Sequence, residues 1–261
     1  MKISVIIPTY KPQSYIWECL DSLKNQTFDK SQFEIIIVLN GCKEPYETQI
    51  REYIITNLEG FHVNFIQTDL GGVSNDRNIA IDSSKGDFIT FVDDDDYVSP
   101  TYLDELYHNI ELGCLPISNL LAFFDGSDEK VDYYITKMFK RIVSKGKTPI
   151  MLARSYMSNP VAKLIPKDVI GNRKFNLSFK NGEDALFMLT ISDKINYVCP
   201  TSKNAIYYRR IRANSAVTRN RSKKEVFMNK IKLAGAFIPC LCKPWRYNFL
   251  FCVSRFVALF K

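Results

Sequence analysis

The first 92 residues alternate apolar, β-rich runs with segments of helical periodicity, and this alternation limits the fold more than any other feature. The apolar runs are ISVIIP (3–8), FEIIIVLN (33–40), HVNFIQ (62–67) and DFITFV (87–92). Helical patterns separate them at residues 14–26, 44–58 and 73–84. The rhythm predicts βαβ units around a mostly parallel sheet. Because the strands are apolar nearly throughout, helices should cover both faces of this Rossmann-like α/β sheet.

The first helical segment carries an apolar stripe. Its apolar residues recur at i, i+3, i+4 and i+7, namely Ile16, Cys19, Leu20 and Leu23. This spacing predicts that one face packs on the sheet, with Ser14 as the N-cap.

The second half has weaker patterns. We expect a helix from Tyr102, a strand at 117–124 and a helix in the charged segment before Lys140. A short strand and turn are expected at 163–170, a loop that opens into a helix at 181–192 and further strand at 196–210.

Polar residues follow the predicted strands where each strand ends. The strand ends read Thr9-Tyr10, Asn40-Gly41, Thr68-Asp69 and Asp93 to Asp96. In open α/β sheets ligands bind beyond the carboxyl ends of the strands, so we expect the site there.

The run of four aspartates points to a cation. Adjacent carboxylates repel one another unless positive charge lies among them. If the strand continues, Asp93 and Asp95 face one side and aim two carboxylates at one point. Mg²⁺ or Mn²⁺ takes one or two carboxylates together with the oxygens of a diphosphate, which predicts a metal site. The alternative is a solvated acidic turn that ends at Pro100.

Charge is placed unevenly along the 261 residues. Residues 200–261 carry 14 Lys and Arg and one acid, so their net charge is +13, whereas residues 1–199 carry −6. This asymmetry indicates a polyanionic partner, either nucleic acid or an anionic membrane surface. The length and the 46% hydrophobic content fit one large domain, or one domain with an appendage.

The cysteines and the first residues bear on the compartment. Seven cysteines, an odd number without a CxxC pair, favour reduced thiols over a disulfide framework. Cys240 and Cys242 leave a metal site open as an alternative. MKISVIIPTY does not read as a secretory signal, so we expect a cytosolic protein.

Several motifs in order resemble glycosyltransferase family 2, with the A-type nucleotide-sugar-binding fold and the cell-surface polysaccharide type of activity. They are IPTY (7–10), FEIIIVLNG (33–41), GGVSNDRNIAI (71–81), KGDFITFVDDDDYVSP (85–100) and NGED (181–184). The resemblance implies a catalytic domain at 1–215, with a nucleotide-sugar-binding half (1–100) and an acceptor-binding half (101–215). Residues 216–261 form a basic tail.

The resemblance also implies roles for single residues of the donor site. Asp93 and Asp95 match the DxD element: the first contacts the donor ribose or the metal shell, and the second binds the metal. Asp94 belongs to the donor-binding set and Asp96 has a supporting role. Mn²⁺ or Mg²⁺ is the implied cofactor.

In the same way, Thr9 and Tyr10 resemble the wall of the nucleobase pocket, which Asn40 and Arg77 complete. The chain departs from the family pattern in having Leu39-Asn40 in place of paired aspartates, and Asp76 where alanine is frequent. Without the resemblance, Asn40-Gly41 reads as an ordinary turn and Arg77 as a surface charge.

Asp184 matches the family's general base, and Glu183 would orient the acceptor or Asp184. The reaction that this implies inverts the anomeric carbon. Without the resemblance, both acids read as favourable charges at a helix N-terminus. Arg212 and Ser215 resemble a loop that covers the donor, with a plain cationic surface as the alternative.

These features together predict a metal-dependent inverting glycosyltransferase. The donor is a nucleotide-sugar, with UDP favoured, and the acceptor is a saccharide or a lipid-linked saccharide. A nucleotidyltransferase would be expected to have the glycine-rich loop of its class after the first strand. This chain has TYKPQ at that place instead. A nucleic-acid-binding protein is disfavoured because the acidic body would repel the phosphate backbone, so no nucleic acid is expected.

The tail suggests a place at the cytoplasmic face of the inner membrane. Phe227, Ile231, Ala234 and Ile238 recur on one helical face, and Trp245 and Tyr247 follow among basic residues. This composition is typical of a helix in the interface of an anionic bilayer, with the two aromatic residues at headgroup depth. The alternative is a final core helix that packs on the body. No apolar stretch is long enough for a conventional membrane span.

Overall fold

The computed structural model of this chain describes residues 1–127, 129–131, 133–212 and 222–260. Twelve strands lie within these ranges: β1 (Ile3–Thr9), β2 (Phe33–Asn40), β3 (His62–Thr68), β4 (Phe88–Phe91), β5 (Tyr97–Val98), β6 (Cys114–Ile117), β7 (Asn119–Phe124), β8 (Lys130–Val131), β9 (Thr148–Pro149), β10 (Ile165–Pro166), β11 (Tyr197–Pro200) and β12 (Ile206–Ile211). The α-helices are α1 (Tyr15–Lys24), α2 (Tyr46–Asn57), α3 (Val73–Ser83), α4 (Tyr102–His108), α5 (Tyr134–Val143), α6 (Lys167–Ile170), α7 (Glu183–Thr190), α8 (Lys223–Leu241) and α9 (Phe249–Ala258).

The central sheet has the strand order β10-β4-β1-β2-β3. Its neighbours pair in parallel from β4 to β3, and only the short β10 is antiparallel. Every residue of β1 and β2 is buried, as expected for strands covered on both faces. The predicted α/β fold with a mostly parallel sheet is therefore confirmed.

The second half adds two small sheets, ordered β6-β11-β9 and β5-β12-β7-β8. In the latter, β12 pairs in parallel with β7 and antiparallel with β5. Since β5 directly follows the aspartate run, this pairing brings the arginines of β12 next to the aspartates. The helix expected before Lys140 is α5, and residues 163–170 form β10 and α6.

Helix α1 packs as its periodicity predicts, because Ile16, Cys19, Leu20 and Leu23 are all buried. Ser14 occupies the N-cap position of α1 as predicted, but it does not cap the helix through its side chain. Ser14 has helical backbone angles, φ −58° and ψ −16°, and its side chain makes no capping hydrogen bond.

The tail packs on the rest of the chain through one face. Helix α8 packs on α7 and α9 packs on α8. The Tyr247 hydroxyl donates to the carbonyl of Thr190 (3.2 Å), and Arg246 binds Asp193 (2.7 Å). The prediction that Tyr247 faces lipid headgroups is therefore wrong, and Ala234 of the predicted apolar face is also buried.

The expectation of reduced cysteines is wrong for one pair. Cys114 of β6 and Cys199 of β11 form a disulfide across neighbouring parallel strands. They are 85 residues apart, and nothing in their spacing indicates that they lie together. Cys19, Cys42, Cys240, Cys242 and Cys252 are free thiols.

Within the ranges described above, no helix combines the length and the apolar character that crossing a bilayer requires.

Candidate active site

A cavity of about 770 Å³ opens at the carboxyl ends of β1, β2 and β4. The chain runs outward from β1 through β2 to β3 and then returns to the other side of β1 as β4, so the cavity lies at a topological switch point. The sequence-predicted site residues in its lining are Thr9, Tyr10, Asn40, Arg77, Asp93, Asp94, Asp95, Glu183, Asp184 and Arg212. Ser215 lies outside the described residues. The structure therefore brings the described candidates together from both halves of the chain.

The four aspartates form a turn and do not continue the strand. Strand β4 ends at Phe91, and the N–H of Asp96 donates to the carbonyl of Asp93 (3.0 Å). The expected strand-like alternation of Asp93 and Asp95 is therefore wrong. The turn is not solvated either, since Asp96 is buried and the other three aspartates are only partly exposed.

Each aspartate of the run has its own partner. Asp93 binds Arg77 (3.1 Å) and Asp95 binds Arg212 (2.6 Å). Asp94 accepts a hydrogen bond from the Thr9 hydroxyl (2.5 Å). Asp96 accepts from the Tyr207 hydroxyl (2.7 Å) and from the N–H of Arg210 (2.8 Å). These contacts explain how the chain tolerates four adjacent carboxylates.

The aspartate run nevertheless keeps unfavourable negative charge. Burial, together with the charges of Asp95 and Asp93, raises the pKa of Asp94 to about 7. Burial and the charge of Asp93 also raise the pKa of Asp95 above its usual range. A nearby cation would relieve this repulsion.

The donor atoms of the turn fit a hard divalent cation. They are carboxylate oxygens, which Mg²⁺ and Mn²⁺ prefer, and one or two of them suffice when a diphosphate supplies the rest. Within the described residues, one group of three side chains has its possible metal-ligand atoms close together. It lies elsewhere, at Glu111, Cys114 and Cys199. There the two sulfurs are joined to each other.

Arg77 is the central cation of the site. It is 3% exposed, which excludes its interpretation as a surface charge. One guanidinium nitrogen donates to Oδ1 of Asp184 (2.6 Å) and another donates to Oδ1 of Asp93 (3.1 Å). Burial opposes the charge of Arg77, but Asp184 and Asp93 outweigh it and raise its pKa. Arg77 thereby links Asp93 of the aspartate run to Asp184 of α7.

Asp184 lies in the first turn of α7, with its side chain 26% exposed. Burial raises the pKa of Asp184, although Arg77 acts in the opposite direction. Arg77 contacts only Oδ1, and Oδ2 accepts no hydrogen bond from the described residues. This second oxygen is therefore the one that can take a proton. Burial also raises the pKa of the neighbouring Glu183.

Gly182 fixes how α7 begins. Its φ of +85° is left-handed, and a Cβ there would lie 2.4 Å from Cδ1 of Leu233 in α8. This backbone angle strains any other residue, and a Cβ would also require the Leu233 side chain to shift. Helix α8 therefore rests directly against the start of the helix that carries Asp184.

Asn40 and Asp76 form a pair that sequence reasoning did not join. The side-chain amide of Asn40 donates to the carbonyl of Thr9 (3.0 Å) and to Oδ2 of Asp76. Its Oδ1 accepts from the N–H of Gly72 (3.2 Å). Both amide hydrogens of Asn40 are thus used within the protein. Contrary to the expectation, Asn40 has no hydrogen left to donate to a nucleobase in this arrangement. Asp76 is fully buried, and its Oδ1 has no partner among the described residues.

Tyr207 and Lys163 are further residues that sequence reasoning missed. The Tyr207 hydroxyl accepts from the N–H of Asp93 (3.1 Å) while it donates to Asp96, so it fixes the turn from β12. Lys163 is fully buried, donates to the carbonyl of Asn159 (2.8 Å) and interacts electrostatically with Asp184. Burial lowers the pKa of Lys163 to about 7. Neither residue stands in a motif or lines the cavity, and tertiary contacts bring them next to Asp96 and Asp184.

Known proteins resemble this chain in sequence. TarS of Staphylococcus aureus (strain Mu50 / ATCC 700699), a poly(ribitol-phosphate) beta-N-acetylglucosaminyltransferase, is 29% identical over 215 residues, covering 80% of this chain and 35% of TarS. GgaB of Bacillus subtilis (strain 168), a minor teichoic acid biosynthesis protein, is 28% identical over 240 residues, covering 87% of this chain and 25% of GgaB. The chain thus spans about a third or less of the length of these relatives.

Solved structures share the fold. The crystal structure of S. aureus TarS 1-349 in complex with UDP-GlcNAc matches with a TM-score of 0.72 and 24% identity, covering 91% of this chain and 67% of that one. Mannosyltransferase PcManGT from Pyrobaculum calidifontis, in complex with GDP-Man and Mn²⁺, matches with a TM-score of 0.63 and 13% identity, covering 98% of this chain and 69% of that one. These likenesses show that the chain has the A-type glycosyltransferase fold.

A family model covers the part of the chain that builds the central sheet. The model of glycosyl transferase family 2 matches residues 4–161, more than half of the chain. This range contains the aspartate run and the three parallel strand ends that frame the cavity. The chain therefore belongs to glycosyl transferase family 2.

Proposed function

We propose that this chain transfers a sugar from a nucleotide-diphosphate donor, a UDP-sugar, to a hydroxyl of a saccharide or lipid-linked saccharide, with inversion at the anomeric carbon. One observation carries this proposal: Arg77 contacts both Asp93 of the aspartate run and Asp184 of α7, within one cavity. A carboxylate for the donor side and a carboxylate for the acceptor side therefore lie within reach of one bound sugar.

The transfer is a single displacement. The acceptor oxygen attacks the anomeric carbon, the bond from that carbon to the diphosphate oxygen breaks, and the diphosphate leaves with the electron pair. Oδ2 of Asp184 takes the proton of the acceptor hydroxyl. Arg77 holds Asp184 through Oδ1, which fixes the direction of Oδ2. Attack from the face opposite the leaving group inverts the anomeric carbon.

Asp95 and Asp93 would hold a Mn²⁺ or Mg²⁺ ion. When bound, such an ion stabilises the negative charge of the leaving diphosphate. Arg212 contacts Asp95 at 2.6 Å and is partly exposed at the cavity, so the same guanidinium can also face a diphosphate oxygen. Asp94 is held by Thr9 and keeps the turn in place on the donor side.

In this proposal Asp76, and not Asn40, meets the base edge, once the cavity wall moves enough to expose Oδ1 of Asp76. The side-chain amide of Asn40 already donates hydrogen bonds to Thr9 and Asp76. Oδ1 of Asp76 lacks a partner in the described structure, and Asp76 lies in the cavity lining. Burial raises the pKa of Asp76 to about 8, so near neutral pH its carboxyl group can both donate and accept.

Replacing Asp76 with Ala should therefore weaken UDP binding by about tenfold to 100-fold, the cost of an unpaired polar group at the base. Calorimetric titration with UDP measures this loss. The exchanged variant, Asn40→Asp with Asp76→Asn, keeps one amide and one carboxyl group in contact and should recover most of the affinity. Equal affinity of wild type and Asp76→Ala would remove Asp76 from the base pocket.

The setting that we propose is the assembly of a cell-surface polysaccharide at the cytoplasmic face of the membrane. The names of TarS and GgaB, a poly(ribitol-phosphate) transferase and a teichoic acid biosynthesis protein, support it. We assign residues 1–100 to donor binding and residues 101–215 mainly to the acceptor, with the basic tail at 216–261. Glu183 and Asp184 then lie where the two halves meet.

Titration of the purified protein with UDP, GDP and TDP, each with and without Mn²⁺, tests the donor proposal. We expect UDP to bind with a Mn²⁺-dependent gain in affinity and the other two nucleotides to bind more weakly. The solved likenesses hold UDP-GlcNAc and GDP-Man, so a preference for GDP would redirect the donor assignment. Absence of binding by all three nucleotides would overturn the proposal.

A further inference from the structure

Helix α9 differs from an ordinary surface helix because its outward face is apolar as well as its inward face. Its charged residue, Arg255, faces inward and donates to the Ser158 hydroxyl (3.0 Å), beside the buried Phe251. Its outward residues are apolar: Phe249 and Leu250 are 48% and 63% exposed, and Val257 is 47% exposed. Leu250 and Val257 are seven residues apart and so lie on one face. A helix that turns its apolar side away from the body is matched to an apolar partner.

Helix α8 continues this pattern. Its inward side packs on the body through the buried Leu233 and Phe237. Phe227, Ile231 and Ile238 are 58%, 45% and 50% exposed, and their spacing of four and seven residues puts them on one outward face. Just after α8, the indole of Trp245 is 80% exposed. We call these outward residues of α8 and α9, with Trp245, the tail surface.

Positive charge flanks the tail surface. Lys224, Lys232 and Lys243 are exposed on α8 and on the segment that follows it, and Glu225 is the only acid of residues 200–261. Apolar side chains among lysines, with a tryptophan at the edge, are the composition of a surface that inserts into anionic lipid headgroups.

The tail surface is held in place by the body. Leu233 fits against Gly182, Arg246 binds Asp193, and Tyr247 donates to Thr190. The outward direction of the apolar residues is therefore set by the fold.

Charge also decides between the available partners. A second copy of this chain would bring two positively charged tail surfaces face to face, which costs free energy. A nucleic acid offers negative charge but no apolar layer for side chains such as Leu250. An anionic bilayer offers both its phosphates and its acyl chains.

We propose that the tail surface binds the surface of an anionic lipid bilayer, with Leu250, Val257 and Trp245 inserted below the headgroups and Lys224, Lys232 and Lys243 on the lipid phosphates. This goes beyond the proposed sugar transfer and does not depend on it. The binding is peripheral, along the plane of the bilayer.

Flotation of the full chain with vesicles tests this proposal. We expect co-flotation with vesicles of phosphatidylcholine mixed with phosphatidylglycerol, and little with pure phosphatidylcholine. The variant Leu250→Ser with Val257→Ser should lower the partition coefficient by about tenfold for each side chain lost from the bilayer. Both positions are outward-facing, so the variant should keep its thermal unfolding midpoint.

Matched controls distinguish binding through the tail surface from a general effect of exposed apolar side chains or of net charge. Leu112, 99% exposed in the turn before β6, gives the apolar control Leu112→Ser, which should bind vesicles as wild type does. Lys243→Glu should weaken binding, whereas Lys24→Glu at the end of α1 should not.

The proposal is overturned if the wild type does not float with anionic vesicles, or if Leu250→Ser with Val257→Ser binds as well as Leu112→Ser. Analytical ultracentrifugation without lipid gives a further test. Concentration-dependent dimers that the Leu250→Ser, Val257→Ser variant abolishes would assign the surface to self-association. A failure of vesicle binding would leave nucleotide titration unchanged, so it is distinguishable from a failure of the proposed function.

Discussion

Asp184→Asn is expected to lose about 10²- to 10⁴-fold of the transfer rate, the usual contribution of a positioned general base. The amide retains the shape of the side chain and can still contact Arg77, but it cannot take the acceptor proton. Donor binding should change little, because the aspartate run is untouched. Steady-state transfer assays, together with calorimetric titration of UDP, measure the two effects separately.

A pH profile gives this prediction a second readout. A base works only when it is ionised, and burial raises the pKa of Asp184. The rate should therefore fall, as pH decreases, at a higher pH than an ordinary aspartate would give. The residual activity of Asp184→Asn should lack this fall. Asp104→Asn on α4, outside the cavity, is the control and should keep the wild-type pH profile. Turnover of Asp184→Asn near the wild-type value would remove Asp184 from the role of base.

Asp95→Ala should abolish most of the Mn²⁺-dependent gain in donor affinity. Loss of a group that only supports a metal ligand already lowers metal affinity or activity by about 10- to 100-fold. Loss of a direct ligand should cost at least as much. The variant also leaves Arg212 without its carboxylate partner, so some metal-independent nucleotide binding through Arg212 is expected to remain. Titration of UDP at several Mn²⁺ concentrations measures both effects.

The control for Asp95→Ala is Asp104→Asn, which alters a partly exposed aspartate on α4 outside the cavity. It should keep the full Mn²⁺ dependence. If Asp95→Ala keeps that dependence too, the aspartate run does not bind the metal, and its charge is balanced by Arg77 and Arg212 alone.

The sequence predicted the central sheet well because its signals are local. The apolar composition of runs such as FEIIIVLN by itself predicts a buried strand. Polar residues at the ends of parallel strands meet at one edge of the sheet, independently of the loop conformations. This reasoning placed Asp93 at the site, whereas Arg77 and Asp184 were predicted only from the resemblance to the family.

What the sequence did not reveal depends on contacts between distant segments. The pairing of Asn40 with Asp76 changes which of them is left for a ligand, and it involves the end of β2 and the first turn of α3. Tyr207 reaches Asp96 only because β12 pairs with β5. The disulfide between Cys114 and Cys199 likewise requires β6 and β11 to be neighbours. No periodicity or composition encodes these contacts.

The contact of Leu233 with Gly182 has a consequence for where this protein can be shortened. A chain cut at the proposed boundary after residue 215 would lose the helix that covers the start of α7. The apolar surface around Gly182 would then be exposed, one residue before Glu183. The smallest unit that keeps Asp184 in its present setting therefore includes α8, and the tail is a structural part of the catalytic body as well as its outward surface.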